Sequence, residues 1–395
     1  MRRIIIAVTN DLATDQRVDR TCRALTDIGW QVTLVGRRLP DSPRLASRPY
    51  ATRRMRLLFR RSAFFYAEYN LRLFLYLLFR PADHFFANDT DTLPACTLAA
   101  VLRRKPLAFD AHELFPDVPE LAARPRIQAV WKWIERTCLP HVKQAFTVSQ
   151  SVADEYRHRY GIEMSVVRNT SSLPSLQFHS RTTPHQPRIL LYQGAVNIGR
   201  GIHEMIDAME FLPEYKLLII GTGDILEQER RYAAAQPWST RVEFLGRMDP
   251  ESLHAITPQA DLGLCLLQDL GLNYRYSLPN RISDFANAGV PVLATDFPEI
   301  RRTLLHYGTG TLTEPLPGSV DDESYRQYIS RLVADIKSAL RYWDALPLDE
   351  CRQRFQHASE ELSWSHEKNI LLSSFTQPNP QPNNQPQYLI PKRKK

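Results

Sequence analysis

Polar side chains follow three short hydrophobic runs of this chain, and their types are those that bind ligands and transfer protons. The runs and the residues after them are 4–8 with Thr9-Asn10-Asp11, 84–87 with Asn88-Asp89, and 107–109 with Asp110-Ala111-His112-Glu113. In an open parallel α/β sheet, ligands bind beyond the carboxyl ends of the strands. Acids, amides and a histidine at three strand ends therefore predict one wall of a ligand cleft.

His112 belongs to the residue type whose charge ordinarily changes near neutral pH. A lone histidine is more often structural than reactive. This one stands between Asp110 and Glu113 at a strand end. That position favours a reactive role, in which His112 donates a proton or a hydrogen bond to a substrate hydroxyl or to a developing charge.

The segment 273–299 predicts a helix whose amino end can hold an anion. Ser277 suits an N-cap, Pro279 suits the first turn, and Gly289 suits the position after the last turn. The helix is therefore expected to begin near Leu278. Its free backbone N–H groups and the positive end of its dipole would then be available to a diphosphate.

Asp284 is expected about 9 Å along the same helix, because each residue rises about 1.5 Å. It would share a face with Asn280 and Arg281. An anion at the helix tip beside a carboxylate suits a nucleoside diphosphate, with Asp284 accepting hydrogen bonds from ribose hydroxyls. The alternative is an ordinary capped helix with a surface pair between Arg281 and Asp284.

Two glycine-containing turns, 194–201 and 221–224, follow predicted strands in the second half. Their glycines are Gly194, Gly199, Gly201, Gly221 and Gly223. Glycine lets a backbone approach a ligand closely, and Arg200 adds a fixed charge that can grip phosphate. Either turn can also be a tight connection between strand and helix, since the second is only half of a dinucleotide fingerprint.

Metal and disulfide sites are not expected. Asp89-Thr90-Asp91 has the DxD form of some metal sites, but Asp91 can instead cap a helix over 93–104. The five cysteines include no CxxC pair and are odd in number, which fits a reducing cytosol. The apolar run after Arg3 stops at Val8, too early for a signal peptide, and no run reaches the ~20 residues of a spanning helix.

The positive charge is concentrated between residues 37 and 80, where eleven arginines face two acids, a local excess of +9 against +7 for the whole chain. A cluster of aromatic residues follows directly. One interpretation is a solvated loop and helix face. The other is a surface that contacts anionic lipid headgroups. Nucleic acid is not expected as a partner, because no known binding module appears.

Strands alternate with helices along most of the 395 residues, which indicates a parallel sheet with helices on both faces. The segment 171–187 is rich in Ser, Thr and Pro and is interpreted as a linker. The strand pattern restarts at 188, so two similar halves are expected. The segment 376–395 is rich in Pro, Gln and Asn, ends in four basic residues, and is expected to be disordered.

Taken together, these motifs resemble the family 4 glycosyltransferases, which are retaining enzymes that use nucleotide sugars. The matching segments are 9–37, 65–74, 87–93, 110–121, 192–209 and 276–299. The resemblance implies an α/β GT-B fold, with two Rossmann-like, doubly wound parallel-sheet domains facing across a cleft. The implied domains are 1–180 for the acceptor and 188–358 for the nucleotide sugar. A helix at about 360–375, with Trp364, crosses back to the first domain.

The resemblance also assigns roles residue by residue. His112, Arg200, Arg281 and Asp284 match the catalytic positions, whereas a second basic position falls at Ala195 and a sugar-side glutamate position at Tyr276. The substrate-binding residues expected in the N-terminal domain are Asn10, Asp11, Gln16, Arg17, Asn88, Asp89, Asp110 and Glu113. Those expected in the C-terminal domain are the five glycines above, Arg247, Tyr276, Ser277, Leu278, Pro279 and Asn280.

The function implied is retaining transfer of a sugar, without metal or cofactor, to a lipid-linked or saccharide acceptor in cell-envelope or extracellular polysaccharide assembly. The expected location is cytoplasmic, with peripheral attachment to the inner membrane through 37–80. Two alternatives remain, a nucleotide-sugar 2-epimerase and a weakly catalytic binding subunit. A nicotinamide-dependent oxidoreductase is disfavoured, because no complete GxGxxG follows the first strand.

Overall fold

The chain folds into two α/β domains in the computed structural model. The structure describes residues 1–13, 15–122, 124–170, 186–316 and 321–376. The predicted linker and the predicted disordered tail lie, apart from their edge residues, outside the described residues.

The described part of the N-terminal domain contains seven parallel strands in the order β3-β2-β1-β4-β5-β6-β7. The strands are β1 (Arg3–Asp11), β2 (Gln31–Arg38), β3 (Ala51–Arg56), β4 (His84–Asn88), β5 (Leu107–Ala111), β6 (Gln144–Thr147) and β7 (Ser165–Val166). The helices are α1 (Gln16–Asp27), α2 (Ser62–Phe79), α3 (Leu93–Arg103), α4 (Pro119–Ala122), α5 (Pro125–Cys138) and α6 (Gln150–Tyr160). Strand order reverses between β1 and β4, where α/β sheets form ligand crevices.

The C-terminal domain has the same design, with described strands in the order β10-β9-β8-β11-β12-β13. The strands are β8 (Arg188–Gln193), β9 (Tyr215–Ile220), β10 (Val242–Gly246), β11 (Leu262–Cys265), β12 (Val292–Thr295) and β13 (Gly310–Thr313). The helices are α7 (Ile202–Ala208), α8 (Leu226–Ala234), α9 (Pro250–Ile256), α10 (Leu272–Arg275), α11 (Arg281–Asn287), α12 (Pro298–Tyr307), α13 (Asp322–Ala345) and α14 (Leu348–Glu361). Here the order reverses between β8 and β11.

Helices cover both faces of each sheet, so successive residues of the central strands enter opposite cores. In β1, Ile5 and Ala7 belong to one hydrophobic cluster, whereas Ile4 and Ile6 belong to the other. All five cysteines are free and buried. None of the described helices is both long enough and apolar enough to cross a membrane.

The last described helix, α15 (Trp364–Thr376), packs on the N-terminal domain although it follows the C-terminal one. The Phe375 ring stacks 6.0 Å from Phe146, centroid to centroid. The Glu367 carboxylate is fully buried and accepts a hydrogen bond from Arg168 Nε at 2.6 Å. The chain therefore connects the two domains twice.

The sequence predicts a loop for the basic stretch before α2, and this prediction is partly wrong. Residues 51–56 form the edge strand β3, paired in parallel with β2 alone. Met55 is its one buried side chain. An edge strand exposed on both faces has no continuous apolar run, so the pattern that indicates buried parallel strands is missing.

Candidate functional site

One network of four charged side chains connects α1 to the carboxyl ends of β4 and β5. Arg17, on α1, donates from Nε and Nη2 to the Asp110 carboxylate at 2.9 and 2.8 Å. His112 Nε2 lies 3.2 Å from Asp110 Oδ2, and His112 Nδ1 lies 3.2 Å from Asp89 Oδ2. Cations and anions therefore alternate along the network. This arrangement brings four of the predicted site residues together.

The charges in this network determine the protonation of His112. Burial alone would raise the pKa of Asp110, but Arg17 and then His112 hold it well below its ordinary value. Burial alone would lower the pKa of His112, but Asp89 and Asp110 raise it well above its ordinary value. His112 is thus an imidazolium at neutral pH with both ring nitrogens against carboxylates. A ligand would have to displace one carboxylate to receive its hydrogen bond.

Other residues expected in this wall have different surroundings. Asn88 is fully buried, and its amide donates to the Ala7 carbonyl at 3.0 Å. Asp11 is also buried and accepts two hydrogen bonds from Arg54 Nη2, at 2.7 and 2.9 Å. Asn88 and Asp11 therefore hold the domain together in this conformation. Asn10 and Gln16 are exposed on the surface.

In the C-terminal domain, Asp284 is held by a glutamine that sequence reasoning did not single out. Gln193, the last residue of β8, donates from Nε2 to Asp284 Oδ2 at 3.3 Å and accepts from the Thr257 hydroxyl at 2.9 Å. Burial raises the pKa of Asp284 to about 6, although Gln193, Arg20 and Arg281 each oppose that rise. The strand-end rule that found Asp110 also applies to Gln193.

Two of the predicted site arginines rest on aromatic rings rather than on acids. The Arg281 guanidinium carbon lies 4.3 Å from the Tyr192 ring centroid, and that of Arg200 lies 4.8 Å from the Tyr274 centroid. Among the described residues, Arg281 Nη1 and Arg200 Nε are buried without a hydrogen-bond partner. Both charges also act on Cys265, whose pKa burial raises and they lower. Both guanidinium groups therefore lie within electrostatic reach of the same thiol, and both are suited to an incoming anion.

The glycine turns pack backbone against backbone beside these arginines. A Cβ on Gly221, at φ 144°, would lie 1.7 Å from the Gly194 carbonyl oxygen, so no side chain fits there. A Cβ on Gly194 would meet Arg281 Nη2 at 3.4 Å. The remaining predicted glycines, Gly199, Gly201 and Gly223, also pack tightly against neighbouring chain. Arg247 is exposed just beyond β10.

The helix that carries Asp284 begins later than expected. Helix α11 starts at Arg281 with Asn280 as its N-cap, and the Ser277 hydroxyl donates to the Tyr274 carbonyl at 2.8 Å instead. The prediction of a start near Leu278 is therefore wrong, because a residue before proline avoids the helical conformation. The predicted C-terminal glycine, Gly289, does adopt the left-handed conformation, at φ 68°.

The two walls meet through α10 and the short segment that connects it to α11. Asn273 accepts a hydrogen bond from the Leu114 N–H at 3.0 Å and donates to Glu113 Oε2 at 3.2 Å. The Ser149 hydroxyl donates to the Tyr276 carbonyl at 2.8 Å. Tyr276 thus contacts the N-terminal domain through its backbone carbonyl.

Arg20, on α1, reaches from the N-terminal domain toward the second wall. Its charge acts on Asp284, and burial first and Arg17 second lower the pKa of Arg20 to about 10. Its guanidinium also donates to Asn169 and to the Thr170 carbonyl. The sequence pattern did not single out Arg20, because it lies within α1 and not at a strand end.

The two aspartates of the DxD motif have separate partners. Asp89 contacts His112, whereas Asp91 accepts a hydrogen bond from the Thr9 hydroxyl and does not cap α3. Burial first and Asp89 second raise the pKa of Asp91 to about 8, so it is protonated at neutral pH. A protonated carboxyl is a poor metal ligand.

Comparison with known proteins agrees with this architecture. Residues 15–170 match the family described as Glycosyltransferase Family 4, and residues 176–343 match Glycosyl transferases group 1, together most of the chain. The chain belongs to the family 4 glycosyltransferases. A glycogen synthase from Mycobacterium tuberculosis is 25% identical over 208 residues, 48% of this chain and 45% of the relative. The chain thus matches less than half of that curated relative's length.

Solved structures extend the likeness of this family 4 chain over both domains. A sucrose-phosphate synthase from Thermosynechococcus elongatus gives a TM-score of 0.71 at 17% identity, covering 95% of this chain and 98% of that one. HepE from Anabaena, in complex with UDP and glucose, gives 0.65 at 12% identity, covering 95% and 99%. Likeness at these identities is evidence of fold alone, and it confirms the predicted GT-B architecture.

Proposed function

We propose that the protein transfers a sugar from a nucleotide-diphosphate donor, bound by the C-terminal domain, to an acceptor bound by the N-terminal domain. One observation carries the proposal. Arg200 and Arg281 have no ion-pair partner among the described residues, each lies over a tyrosine ring, and Arg281 precedes Asp284 by three residues on α11. A diphosphate supplies the missing anion, and ribose hydroxyls supply hydrogen bonds to Asp284.

The same residues suit the chemistry of transfer with retained configuration. Negative charge develops on the departing diphosphate, and preorganised cations that stabilise such charge are often the largest catalytic contribution. Asp89 and Asp110 are engaged by His112 and Arg17, which disfavours either carboxylate as a nucleophile. Attack on the face from which the diphosphate leaves is therefore the preferred mechanism. The acceptor's proton then passes to the departing phosphate.

The acceptor side supports a role in cell-envelope or extracellular polysaccharide assembly on the inner face of the cytoplasmic membrane. Arg37, Arg38 and Arg56 stand at the carboxyl ends of β2 and β3, at the same edge of the sheet as His112, and anionic surfaces attract arginine-rich segments. HepE, which shares the fold, is recorded with UDP-glucose. A nucleotide-sugar donor is the corresponding proposal for this chain.

The decisive experiment measures donor binding and turnover in matched arginine variants. Arg200→Ala and Arg281→Ala should each lower turnover by ~10²-fold or more, because each removes charge from the diphosphate site. Arg230→Ala, at a half-exposed position on α8, is the control. Thermal shifts with UDP, GDP, ADP and their sugars identify the donor, since a ligand of the folded state raises the melting temperature.

Unchanged kinetics in both variants would remove the site assignment. Incubation of the donor without acceptor separates two enzyme classes. A transferase leaves the donor largely intact when no acceptor is present. Conversion of the donor to its epimer would instead show that the protein is a 2-epimerase.

A further inference from the structure

A cavity of about 270 Å³ opens at the carboxyl ends of β2 and β3, beside the beginning of α2. Four arginines contribute to its lining: Arg37, Arg38, Arg56 and Arg60. The remaining lining is apolar and includes Phe59 and Phe65. A cavity with this lining is suited to a ligand that carries both negative charge and apolar groups.

The four arginines lack the partners that neutralise other arginines in this segment. Arg48 and Arg54 each hold an aspartate. In the part of the chain that the structure describes, none of the four lining arginines forms an ion pair or a side-chain hydrogen bond. Arg37 Nε is moreover buried without a partner. A buried N–H donor left unsatisfied costs free energy, so an anion that accepts from it would bind favourably.

An exposed apolar stripe leads away from this cavity along α2. Its members are Phe64, Leu71, Leu75 and Phe79, with between 46 and 78% of each residue exposed. The spacing places them on one side of the helix, whereas Tyr69 and Leu73 are buried on the other. The stripe begins at the cavity, because the Phe64 ring lies 5.4 Å from that of Phe59.

We propose that this cavity binds the diphosphate head of an acceptor carried on a long apolar chain, with the chain lying along the stripe of α2. The head group satisfies the four arginines, and the chain covers apolar side chains that are otherwise in water. This inference deepens the proposed function, on which the identification of the ligand as an acceptor rests. The charge and the apolar surface together fit one amphiphilic ligand better than a free anion.

The cavity adjoins the candidate site. Arg37 is the register partner of Asp11 at the end of β1. Burial first and Asp91 second raise the pKa of Tyr66, Arg37 opposes that rise, and Glu113 adds to it. The Tyr66 hydroxyl is thus within electrostatic reach of both the arginine cavity and the acceptor side of the cleft. A ligand head in the cavity would place attached sugars toward that cleft.

Calorimetric titration of the full chain, saturated with UDP, tests the proposal with inorganic diphosphate and farnesyl diphosphate. Farnesyl diphosphate should bind at least ~10-fold more tightly than inorganic diphosphate, since the chain buries apolar surface. Arg37→Gln and Arg60→Gln should each weaken its binding by ~10-fold, because each removes a charge-assisted contact. Arg53→Gln, exposed and outside the cavity, should change nothing.

The variant Leu75→Ser distinguishes binding of the ligand's apolar chain from binding of its diphosphate head. It should reduce the advantage of farnesyl diphosphate and leave the affinity for inorganic diphosphate unchanged. Leu98→Ser, at an exposed position on α3, should alter neither. Farnesyl diphosphate that binds Arg60→Gln as tightly as the parent protein would overturn the proposal. So would binding to anionic vesicles without binding to soluble farnesyl diphosphate, which indicates a general membrane contact.

UDP binding and farnesyl diphosphate binding test the two proposals separately. If UDP does not bind but farnesyl diphosphate binding depends on Arg37 and Arg60, the proposed transfer function fails and the cavity assignment stands. If UDP binds and farnesyl diphosphate does not, the cavity assignment alone fails.

Discussion

His112 and Arg281 show two ways in which a protein can hold a cation at the edge of a cleft. His112 is neutralised by carboxylates on either side, which raise its pKa. Arg281 is 6% exposed and lies over a tyrosine ring without an acid within ion-pair distance among the described residues. The first arrangement is complete before a ligand arrives. The second becomes complete only when an anion is present.

The sign of the pKa shift at Asp284 leads to a prediction about stability. Because its folded pKa is raised from 3.8 to about 6, the ionised carboxylate destabilises the folded state. This penalty is full above about pH 6 and disappears as pH falls toward 3.8. Asp284→Asn should therefore melt at a higher temperature than the parent protein at pH 7.5, with a smaller difference at pH 4.5.

The same substitution should weaken donor binding, because an amide replaces a charged acceptor of ribose hydrogen bonds. Asp349→Asn, at an exposed position, is the control for a general charge effect. Differential scanning calorimetry at the two pH values provides the comparison. A difference between Asp284→Asn and the parent that does not vary with pH would contradict the burial argument.

His112 predicts the opposite pH dependence. Its raised folded pKa stabilises the protein fully below its ordinary value of about 6.5, and this contribution is lost as pH rises through the folded pKa. His112→Gln should cost about 2 kcal/mol at pH 6, as for hydrogen bonds to charged groups, and less at pH 9.5. Urea denaturation of this variant and of exposed His158→Gln measures both costs. Equal losses at both pH values would rule out the imidazolium.

The types of the site residues were more predictable than their partners. Arg17, Asp110 and His112 could be found because each lies at or near a strand end in the sequence. The contact of Asn273 with Glu113 could not, because it joins residues 160 positions apart on different domains. Such pairs depend on how the domains pack, which no local pattern contains.

At the scale of elements, the turns after β8 and β9 form one unit. Gly221→Ala should cost ~1–3 kcal/mol for the backbone overlap with Gly194, in addition to conformational strain. Gly246→Ala tests strain alone, because its φ is 71° and a Cβ there has nothing within 4 Å. Thermal denaturation of the two variants should show the larger loss for Gly221→Ala. Equal losses would indicate that the turns move apart freely.

Strands with neighbours on both sides were predictable, whereas among the four edge strands of the described sheets only β10 was. The apolar runs at 84–87 and 216–220 correspond to strands β4 and β9. Strands β3 and β13 lie at the outer edges of the sheets, where fewer neighbours demand apolar residues. Their formation depends on pairing with a strand already in place, so their own residues carry little signal.

At the scale of the whole molecule, the stability of the N-terminal domain depends on α15, a helix that follows the C-terminal domain in the sequence. Phe375 lies among the rings of Phe86 and Phe146. Phe375→Ala should therefore cost ~3–5 kcal/mol, as for other buried phenylalanines. Hydrogen exchange should show lost protection in β4 and β6 but not in β11 and β12.

Phe211→Ala, at a half-exposed ring in the other domain, is the matched control. If exchange in β4 and β6 were unchanged by Phe375→Ala, α15 would be an appendage that the N-terminal core does not need. Exchange that rises equally in both sheets would instead indicate one cooperative unit.

The complete burial of the five cysteines makes the protein a clean background for spectroscopic labels. A single thiol introduced by Leu75→Cys would be the accessible one, so a polarity-sensitive dye would attach there without removal of native cysteines. The colour of its emission would then distinguish water from hydrocarbon around α2 while the enzyme remains intact.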